Sequence, residues 1–249
     1  MSNKVTVDHA TFQNLKDSVI VITGGANGIG ASTVRLLVDA GAKVVIGDYD
    51  SKAGENLVSS FNSNQPTFVK VDVSKYEDNI KLFKTALEKH GRVDHAVACA
   101  GIIERGKWFD PELTVETVEK PETNQVIEIN LLGVVYFARI AVVYLRHNKG
   151  KDDDKSLTLI SSAAGFRDSP GLFMYQCSKH GVMGLLRTTR KVINERDGIR
   201  INAICPGIVD SNMTVSIIDS FKETGQAINM PEDVAPVRYS REALKKLES

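Results

Sequence analysis

Three side chains in the second half of the chain, Ser162, Tyr175 and Lys179, have the types and the spacing that a proton transfer requires. Tyr175 and Lys179 are four residues apart on a predicted helix, so their side chains lie on one face of it. A free tyrosine, with a pKa of about 10, is a weak base at neutral pH, but a nearby cation favours the phenolate. Such a phenolate can remove the hydroxyl proton of an alcohol that Ser162 holds in place. The same spacing also arises by chance in an amphipathic helix, so this chemistry needs support from the rest of the chain.

A glycine-rich turn, TGGANGIG at residues 23–30, follows the first predicted strand and precedes a predicted helix. Glycines let the backbone approach a pyrophosphate closely, and the helix N-terminus offers it free N–H groups and a positive dipole end. A tight connection between a strand and a helix would also use glycines. An acid about 20 residues further on, here Asp48, is the second feature of dinucleotide-binding folds. Together these residues predict a nicotinamide dinucleotide, which would accept a hydride and add positive charge beside Tyr175.

Asp48 stands at the end of the second predicted strand and bears on the choice of dinucleotide. Its carboxylate can accept hydrogen bonds from the adenosine ribose hydroxyls and repels a 2′-phosphate. Asn27 in the turn and Tyr49 after the acid are both uncharged. The residues therefore predict NAD, with NADP disfavoured, although an aspartate here could also simply begin a turn.

Apolar runs rich in Val and Ile alternate with segments long enough for helices. Such runs suit strands that are buried on both faces of a parallel sheet. The alternation predicts a single-domain α/β fold with a doubly wound parallel sheet, a Rossmann fold, over residues 1–249. The predicted strands are 19–23, 43–47, 67–71, 93–98, 157–161 and 200–204, and the predicted helices are 29–40, 51–61, 75–90, 121–147 and 172–195. The charged run KGKDDDK at 149–155 is interpreted as a solvated turn.

The composition excludes several classes of partner. The chain has 31 basic and 31 acidic residues, so no overall field favours nucleic acid or an anionic membrane. Three scattered cysteines without a CxxC argue against a disulfide framework and against a metal site. Residues 1–16 hold no apolar core of a signal peptide, and the apolar stretch at 131–145 is too short to span a bilayer. We therefore expect a cytoplasmic protein.

Further motifs extend the pattern, namely Asp72-Val73, INLLG with Asn130, ISS with Ser162, YQCSK with Tyr175 and Lys179, and NAICPG at 202–207. In this order and spacing, together with the glycine-rich turn, they resemble the short-chain dehydrogenases/reductases over residues 15 to about 235. The stretches YQCSKHGVMGL and IRINAICPGIV are particularly similar to the 15-hydroxyprostaglandin dehydrogenase-like branch. That similarity implies no prostaglandin substrate.

The resemblance implies roles for these positions. The implied catalytic residues are Asn130, Ser162, Tyr175 and Lys179. Ser162, rather than Ser161, would orient the substrate, and Asn130 would hold a water that links Lys179 to solvent. Asp72 would contact the adenine amine, and the loop after Pro206 would bind the nicotinamide carboxamide. With the residues named above, the cofactor-binding set is Gly24, Asn27, Gly28, Ile29, Gly30, Asp48, Tyr49, Asp72, Val73, Ala100, Gly101, Tyr175, Lys179, Pro206, Val209 and Ser211.

Three regions depart from the family pattern. The fourth strand usually ends in Asn-Asn-Ala-Gly but here reads ACAG at 98–101, so two amides that tie the sheet centre or touch the cofactor are missing. The segment 101–130 is longer than usual and carries Arg105, Trp108 and Phe109 near the expected site mouth, where it could shape the pocket or form a surface excursion. The tail at about 236–249 lacks the usual seventh strand, so the sheet ends at six strands or the tail is rearranged. The family's dimer packs the helices here at 121–147 and 172–195, which favours a homodimer, with a tetramer possible.

The leading hypothesis is an NAD-dependent oxidoreductase that interconverts a secondary alcohol and a ketone on a moderately apolar small molecule. The apolar side chains that could line its pocket are Met213, Val215, Ile217, Ile218 and Phe221 in a substrate loop at about 208–230, with Phe166, Phe173 and Met174 nearby. The alternatives are an NADPH-dependent biosynthetic ketoreductase and a non-catalytic nucleotide-binding regulator of the same fold. Asp48 argues against the first, and the complete catalytic set argues against the second.

Overall fold

A six-stranded parallel sheet forms the centre of the computed structural model, which describes residues 14–62, 66–211, 213–214 and 228–234. The strands are β1 (Val19–Thr23), β2 (Lys43–Asp48), β3 (Thr67–Lys70), β4 (His95–Ala98), β5 (Lys155–Ile160) and β6 (Ile199–Ile204). Their order across the sheet is β3-β2-β1-β4-β5-β6. The order reverses between β1 and β4, which is where open sheets of this kind bind ligands.

Helices cover both faces of this sheet. They are α1 (Gly28–Asp39), α2 (Ser51–Ser59), α3 (Tyr76–His90), α4 (Gln125–Ile127), α5 (Gly133–Arg146), α6 (Phe173–Asp197) and α7 (Pro231–Val234). In β1, Val19 and Val21 pack into the core layer of α3, α5 and α6, whereas Ile20 and Ile22 pack into the layer of α1 and α2. This alternation along one strand confirms the predicted doubly wound α/β fold.

Shorter elements complete the architecture. A π-helical turn, Glu128–Leu132, connects α4 to α5. Two further strands, β7 (Ile208–Val209) and β8 (Ile228–Asn229), pair with each other in parallel. The short helix α7 packs against α1, where Ser32 Oγ donates a hydrogen bond to Glu232 at 3.2 Å.

The element boundaries agree closely with the sequence prediction. Each predicted strand is present, and its ends differ from the prediction by at most two residues. The helix predicted over 121–147 begins at Gln125 and contains the π-helical turn. Within the described residues the main sheet has six strands. The tail at 236–249 and most of the substrate loop, including Val215, Ile217, Ile218 and Phe221, lie outside the described residues.

The interpretation of 149–155 as a solvated turn is wrong for its last residue. Lys155 begins β5 and is only 1% exposed. Its Nζ donates hydrogen bonds to Asp94 Oδ1 at 2.6 Å and to the carbonyl oxygen of Val93 at 2.9 Å. An ammonium can be buried when a carboxylate neutralises it, and here that partner is 61 residues away in sequence.

The expectation that the apolar stretch at 131–145 is too short to span a bilayer does not hold for the helical segment that contains it. Within the described part of the chain, this segment, Gln125–Arg146, is long enough to cross a membrane and has a mean hydropathy of 2.0. In the folded chain, 44% of the most apolar 18-residue stretch of this segment is buried. Phe137, Ile140 and Leu145 from this segment pack in the core, and α5 lies against β4 and β5. The core therefore accounts for its apolar character.

Candidate active site

A cavity of about 1040 Å³ lies at the carboxyl ends of the strands. The predicted cofactor residues all contribute to its wall: Gly24, Asn27, Gly28, Ile29, Gly30, Asp48, Tyr49, Asp72, Val73, Ala100, Gly101, Tyr175, Lys179, Pro206, Val209 and Ser211. Ser162 lines the same cavity, whereas Asn130 is fully buried. One cavity thus gathers residues from distant parts of the sequence, and their individual roles stay predictions.

The glycine-rich turn brings its backbone against the end of β4. Gly24 has a φ of +64°, and a Cβ there would lie 2.6 Å from the Cα of Ala100, so a side chain does not fit. A Cβ at Gly30 would lie 1.8 Å from the carbonyl oxygen of Gly24. Asn27 precedes α1 without capping it through its side chain, which leaves N–H groups of the first helical turn for a ligand. The turn therefore fits the pyrophosphate of a dinucleotide.

Asp48 ends β2, and its carboxylate holds two backbone amides. Oδ2 accepts a hydrogen bond from the N–H of Ala26 at 2.9 Å, and Oδ1 accepts one from the N–H of Asp50 at 3.0 Å. The first of these bonds ties the strand end to the glycine-rich turn. An ionised carboxylate has about four acceptor positions, so Asp48 retains capacity for ribose hydroxyls.

Lys70 is a basic residue beside this site that the linear sequence does not reveal. It ends β3 and pairs in register with Asp48. Its Nζ lies 5.7 Å from the centroid of the Tyr49 ring, and Tyr49 is 71% exposed. Asn27 and Tyr49 are uncharged, as noted from the sequence. The pairing of β2 with β3 nevertheless brings a basic side chain, that of Lys70, next to Asp48. Only the register of the two strands could have indicated it.

Tyr175 lies in the first turn of α6 and faces the cavity. Burial raises the pKa of Tyr175 above its usual value, and a hydrogen bond with Ser162 acts in the opposite direction. Ser162 Oγ also accepts a hydrogen bond from the N–H of Ala164 at 3.2 Å. Ser161 is buried and donates instead to the carbonyl oxygen of Lys179 at 3.0 Å. Ser162 is therefore the serine that meets the tyrosine.

Lys179, one turn along α6, is 4% exposed and makes no ion pair with the carboxylates that the structure describes. Its Nζ donates to the carbonyl oxygen of Ile160 at 3.0 Å and lies 5.4 Å from the centroid of the Tyr175 ring. Burial lowers the pKa of Lys179 to about 8, although Cys99 and Cys205 act in the opposite direction. The pKa of Tyr175 stays above its usual value, because burial of the phenol outweighs the hydrogen bond with Ser162.

A comparison with protein families agrees with this geometry. The family described as short chain dehydrogenase matches residues 18–221, most of the chain. The chain belongs to this family. It is therefore an oxidoreductase whose Rossmann-like fold serves a nicotinamide cofactor, and the glycine-rich turn with its open amides fits that group.

Individual relatives and structures are similar over most of the chain. The short-chain dehydrogenase/reductase ascJ of Acremonium egyptiacum is 35% identical over 203 residues, which cover 81% of this chain and 67% of that protein. The 5′-hydroxyaverantin dehydrogenase of Dothistroma septosporum is 32% identical over 227 residues, which cover 85% of this chain and 73% of that protein. The 3-ketoacyl-(acyl-carrier-protein) reductase from Brucella melitensis, solved in complex with NADH, superposes with a TM-score of 0.79 at 23% identity and covers 92% of this chain and 93% of its own. These relatives are of several kinds, so the 15-hydroxyprostaglandin dehydrogenase-like branch stays a prediction.

Asn130 lies on the π-helical turn, where its side chain holds the backbone that follows β4. Its Nδ2 donates to the carbonyl oxygen of Ile102 and its Oδ1 accepts from the N–H of Ile102, both at 2.8 Å. A Cβ at Gly101 would lie 3.3 Å from Asn130 Oδ1 and 3.6 Å from Lys179 Nζ. Asn130 thus fixes the wall of the dehydrogenase site beside the lysine, and the water assigned to it stays a prediction.

The altered strand end at 98–101 remains tied to the centre of the sheet. Thr23 Oγ1 accepts hydrogen bonds from the N–H of Cys99 at 3.3 Å and from the N–H of Ala100 at 3.5 Å. Thr23 is buried, and Cys99 lines the cavity. Backbone groups therefore link β4 to β1 at the point where the family pattern has two side-chain amides.

The long segment after Gly101 forms part of the cavity rim. Arg105 lines the cavity, and the Trp108 indole N–H donates to the carbonyl oxygen of Arg105 at 3.2 Å. Glu104 Oε2 accepts a hydrogen bond from the backbone N–H of Tyr175 at 2.7 Å. Sequence reasoning missed Glu104, because nothing in the linear sequence relates residues that are 71 positions apart.

The predicted apolar pocket is present only in part. Met213 lines the cavity, but Phe166 and Phe173 are 51% and 41% exposed. Apolar side chains that the sequence did not single out also line it, namely Ile102, Ile103 and Ile129. In the part of the chain that the structure describes, no cluster of three or more His, Cys, Asp or Glu side chains is arranged to hold a metal ion.

Proposed function

We propose that this dehydrogenase interconverts a secondary alcohol and a ketone on a moderately apolar small molecule, with NAD as its cofactor. The observation that carries the proposal is the presence of Ser162, Tyr175 and Lys179 in the wall of the same cavity as the glycine-rich turn. A protein that only bound a nucleotide would have no physical need for a buried lysine beside a tyrosine in that cavity. This argues against a non-catalytic regulator.

The residues divide the chemistry among them. NAD, when bound, would supply the hydride acceptor and a positive ring. Ser162 holds the alcohol oxygen against Tyr175, which takes the hydroxyl proton. Because burial raises the pKa of Tyr175, its phenolate needs positive charge nearby, and Lys179 supplies part of it. With a pKa of about 8, Lys179 can also release and take up protons near neutral pH. In the reverse direction Tyr175 returns the proton to the ketone oxygen.

The cavity wall supports an apolar substrate. Ile102, Ile103 and Ile129 line it, together with Met213 from the start of the substrate loop. Small-molecule sites are mostly apolar, with a few polar groups that orient the ligand. The name of the 5′-hydroxyaverantin dehydrogenase, a relative at 32% identity, is in keeping with the oxidation of an alcohol.

The choice of cofactor depends on two opposed charges. Asp48 supports NAD, since its carboxylate would repel a 2′-phosphate beside the adenosine ribose. Lys70 supports the second candidate, an NADPH-dependent ketoreductase, because strand pairing brings a cation next to Asp48. We favour NAD because Asp48 bonds directly to the glycine-rich turn, whereas Lys70 is exposed and lies over the Tyr49 ring.

Calorimetric titration with NADH and, separately, with NADPH tests this choice. We expect the wild type to bind NADH at least about tenfold more tightly, since like charges in contact are costly. Asp48→Ala should remove the preference, and the matched change Lys70→Ala should weaken NADPH binding alone. A wild type that prefers NADPH would shift the proposal to the ketoreductase, and binding of neither would contradict the cofactor site.

Turnover of a panel of secondary alcohols and ketones tests the reaction itself. Tyr175→Phe should abolish activity while leaving cofactor affinity nearly unchanged, because only the phenolic oxygen is removed. Normal activity in this variant would contradict the mechanism. Failure of the wild type to convert any member of the panel, despite cofactor binding, would favour the regulator.

We also propose that the protein acts in the cytoplasm as a homodimer that packs α5 and α6 against a second copy. Val143 on α5 and Val192 on α6 are 51% and 56% exposed, and burial in an interface would remove them from water. Sedimentation of the wild type and of Val143→Glu tests the dimer. A monomeric wild type would contradict it.

A further inference from the structure

The helix that carries the catalytic pair begins without a cap from its own sequence. The residue before its first turn is Leu172, which has no side chain that can accept a hydrogen bond. No acidic residue lies in the first turn. The first N–H groups of a helix need acceptors from elsewhere, and a missing cap destabilises the first turn. In α6 that turn contains Tyr175.

Glu104 supplies the acceptor from a different part of the chain. Its Oε2 accepts from the N–H of Tyr175, the third residue of α6, at 2.7 Å. That distance lies at the short end of the usual range for an N–H···O hydrogen bond. A carboxylate at a helix N-terminus is also favoured by the helix dipole. The contact therefore holds the backbone of the catalytic tyrosine itself.

One oxygen of the Glu104 side chain, Oε1, is buried without a hydrogen-bond partner among the residues that the structure describes. A buried oxygen without a donor is unfavourable, so stability alone does not explain the choice of glutamate here. A side-chain acceptor at this point is explained if it fixes the amide of Tyr175.

Two further contacts hold the backbone on either side of Glu104, one to the π-helical turn and one to α6. Ile102, two residues earlier, is bonded through both backbone groups to Asn130. Phe109, five residues later, packs its ring against that of Phe173 in the first turn of α6, with ring centroids 4.8 Å apart. The segment after β4 is thus attached to the π-helical turn before Glu104 and to the first turn of α6 after it.

We propose that Glu104 is a positioning residue, which caps α6 at Tyr175 and so fixes the phenol in the cavity. The proposal rests on the proposed function insofar as Tyr175 carries the proton transfer. On this proposal the long segment 101–130 supports catalysis, because it carries Glu104, the residue that caps α6.

Two variants at Glu104, made in the whole chain of 249 residues, distinguish the effects of charge, hydrogen bond and fold. Glu104→Ala removes the acceptor, whereas Glu104→Gln keeps an oxygen that can accept from the Tyr175 N–H. Glu112→Ala is the matched control, since Glu112 is an exposed acid on the same segment. Residue-resolved hydrogen exchange at 173–175 and the kcat and KM for an alcohol from the panel are measured for all of them.

We expect the Tyr175 amide of Glu104→Ala to exchange about tenfold faster, while the rest of α6 keeps its protection. The kcat of this variant should fall about tenfold or more with KM and cofactor affinity little changed, because a small misplacement of a reacting group is costly. Glu104→Gln should recover most of both losses, and Glu112→Ala should resemble the wild type.

Unchanged exchange at Tyr175 in Glu104→Ala would overturn the proposal, and so would faster exchange with an unchanged kcat. A loss spread over the whole of α6 would show a merely structural role and also overturn it. If the wild type converts no alcohol or ketone, the proposed function fails, and the exchange measurement alone then decides whether Glu104 fixes Tyr175.

Discussion

Among the residues that the structure of this dehydrogenase describes, two lysines are buried, and their surroundings differ. Lys155, at the amino end of β5, is 1% exposed and contacts Asp94 Oδ1 at 2.6 Å. Lys179, at the carboxyl end of the sheet, is 4% exposed and has no carboxylate partner among the described residues. A buried ammonium stays charged beside a carboxylate, but burial without one favours the neutral amine. The first lysine therefore serves the fold, and the second can exchange protons.

The amino end of the sheet holds its charges in fixed pairs. Burial alone would raise the pKa of Asp94, but hydrogen bonds from Lys155, the N–H of Val19 and Arg92 bring that pKa below its usual value. Burial lowers the pKa of His95 to about 4, so its ring is neutral where it bonds Ser156. The buried polar groups at the amino end of the sheet are thus paired with one another, whereas the amine of Lys179 at the carboxyl end can take up and release a proton.

Replacing each lysine by methionine is the sharpest test of this difference. Lys179→Met should lower turnover by about 10²- to 10⁴-fold, the usual contribution of a proton-transfer group. The free energy of unfolding of this variant at neutral pH should be unchanged or higher, because the substitution removes a buried amine that has no carboxylate partner among the described residues. Lys155→Met should instead lower the free energy of unfolding, while the protein that does fold should turn over substrate at a near-normal rate. Equal losses of turnover in the two variants would contradict the assignment of Lys155 to the fold and of Lys179 to proton transfer.

The sequence predicts the sheet well because its signals are local. A run such as VIVIT at 19–23 is apolar at its first four positions, which is typical of a strand buried on both faces. Within the turn at 23–30, Gly30 is required by a close contact with the backbone of Gly24, which is a local constraint. Lys155 was assigned to a solvated turn because its charge, read locally, resembles that of its neighbours at 149–154. Its actual environment depends on Asp94, a residue on another strand.

Replacing Asp94, the partner of Lys155, should lower the free energy of unfolding by nearly as much as Lys179→Met raises the activation free energy of turnover. Asp94→Ala leaves the buried ammonium with only the more distant and partly exposed Asp153, whose Oδ2 lies 3.7 Å away, and leaves the N–H of Val19 without its acceptor. We expect the free energy of unfolding, measured in urea at fixed protein concentration, to fall by about 3–5 kcal/mol. The double variant Asp94→Leu with Lys155→Met should recover most of this, since the charge and its partner leave together. A loss below about 1 kcal/mol in Asp94→Ala would contradict the structural role of the pair.

The unpaired lysine should reveal itself in the pH dependence of stability. In the folded protein the pKa of Lys179 is about 8, against an ordinary value of 10.5. Between these values the unfolded chain binds the proton more tightly, so the folded state gains stability as the pH rises. From pH 8 to pH 10 the wild type should gain about 2 kcal/mol relative to Lys179→Met, measured by urea unfolding of both. Parallel curves for the two proteins would mean that Lys179 keeps its ordinary pKa.

The site is less predictable than the sheet, because its supports come from pairings that the linear sequence does not show. Ser162, Tyr175 and Lys179 could be found from their types and spacing. Glu104 could not, since its contact with the N–H of Tyr175 depends on how the segment after β4 folds back onto α6. Lys70 likewise approaches the cofactor residues only through the register of β3 with β2.

The smallest effect should come from an ion pair at the same amino end of the sheet that is exposed to water. Arg200 Nε and Nη2 contact Asp154 Oδ1 at 3.0 and 2.9 Å, in a geometry as good as that of Asp94 with Lys155. The two side chains are 35% and 42% exposed, so water already solvates both charges. Arg200→Ala should therefore lower the free energy of unfolding by less than about 1 kcal/mol, and added salt should shrink the difference. A loss as large as that of Asp94→Ala would show that burial is not what separates the two pairs.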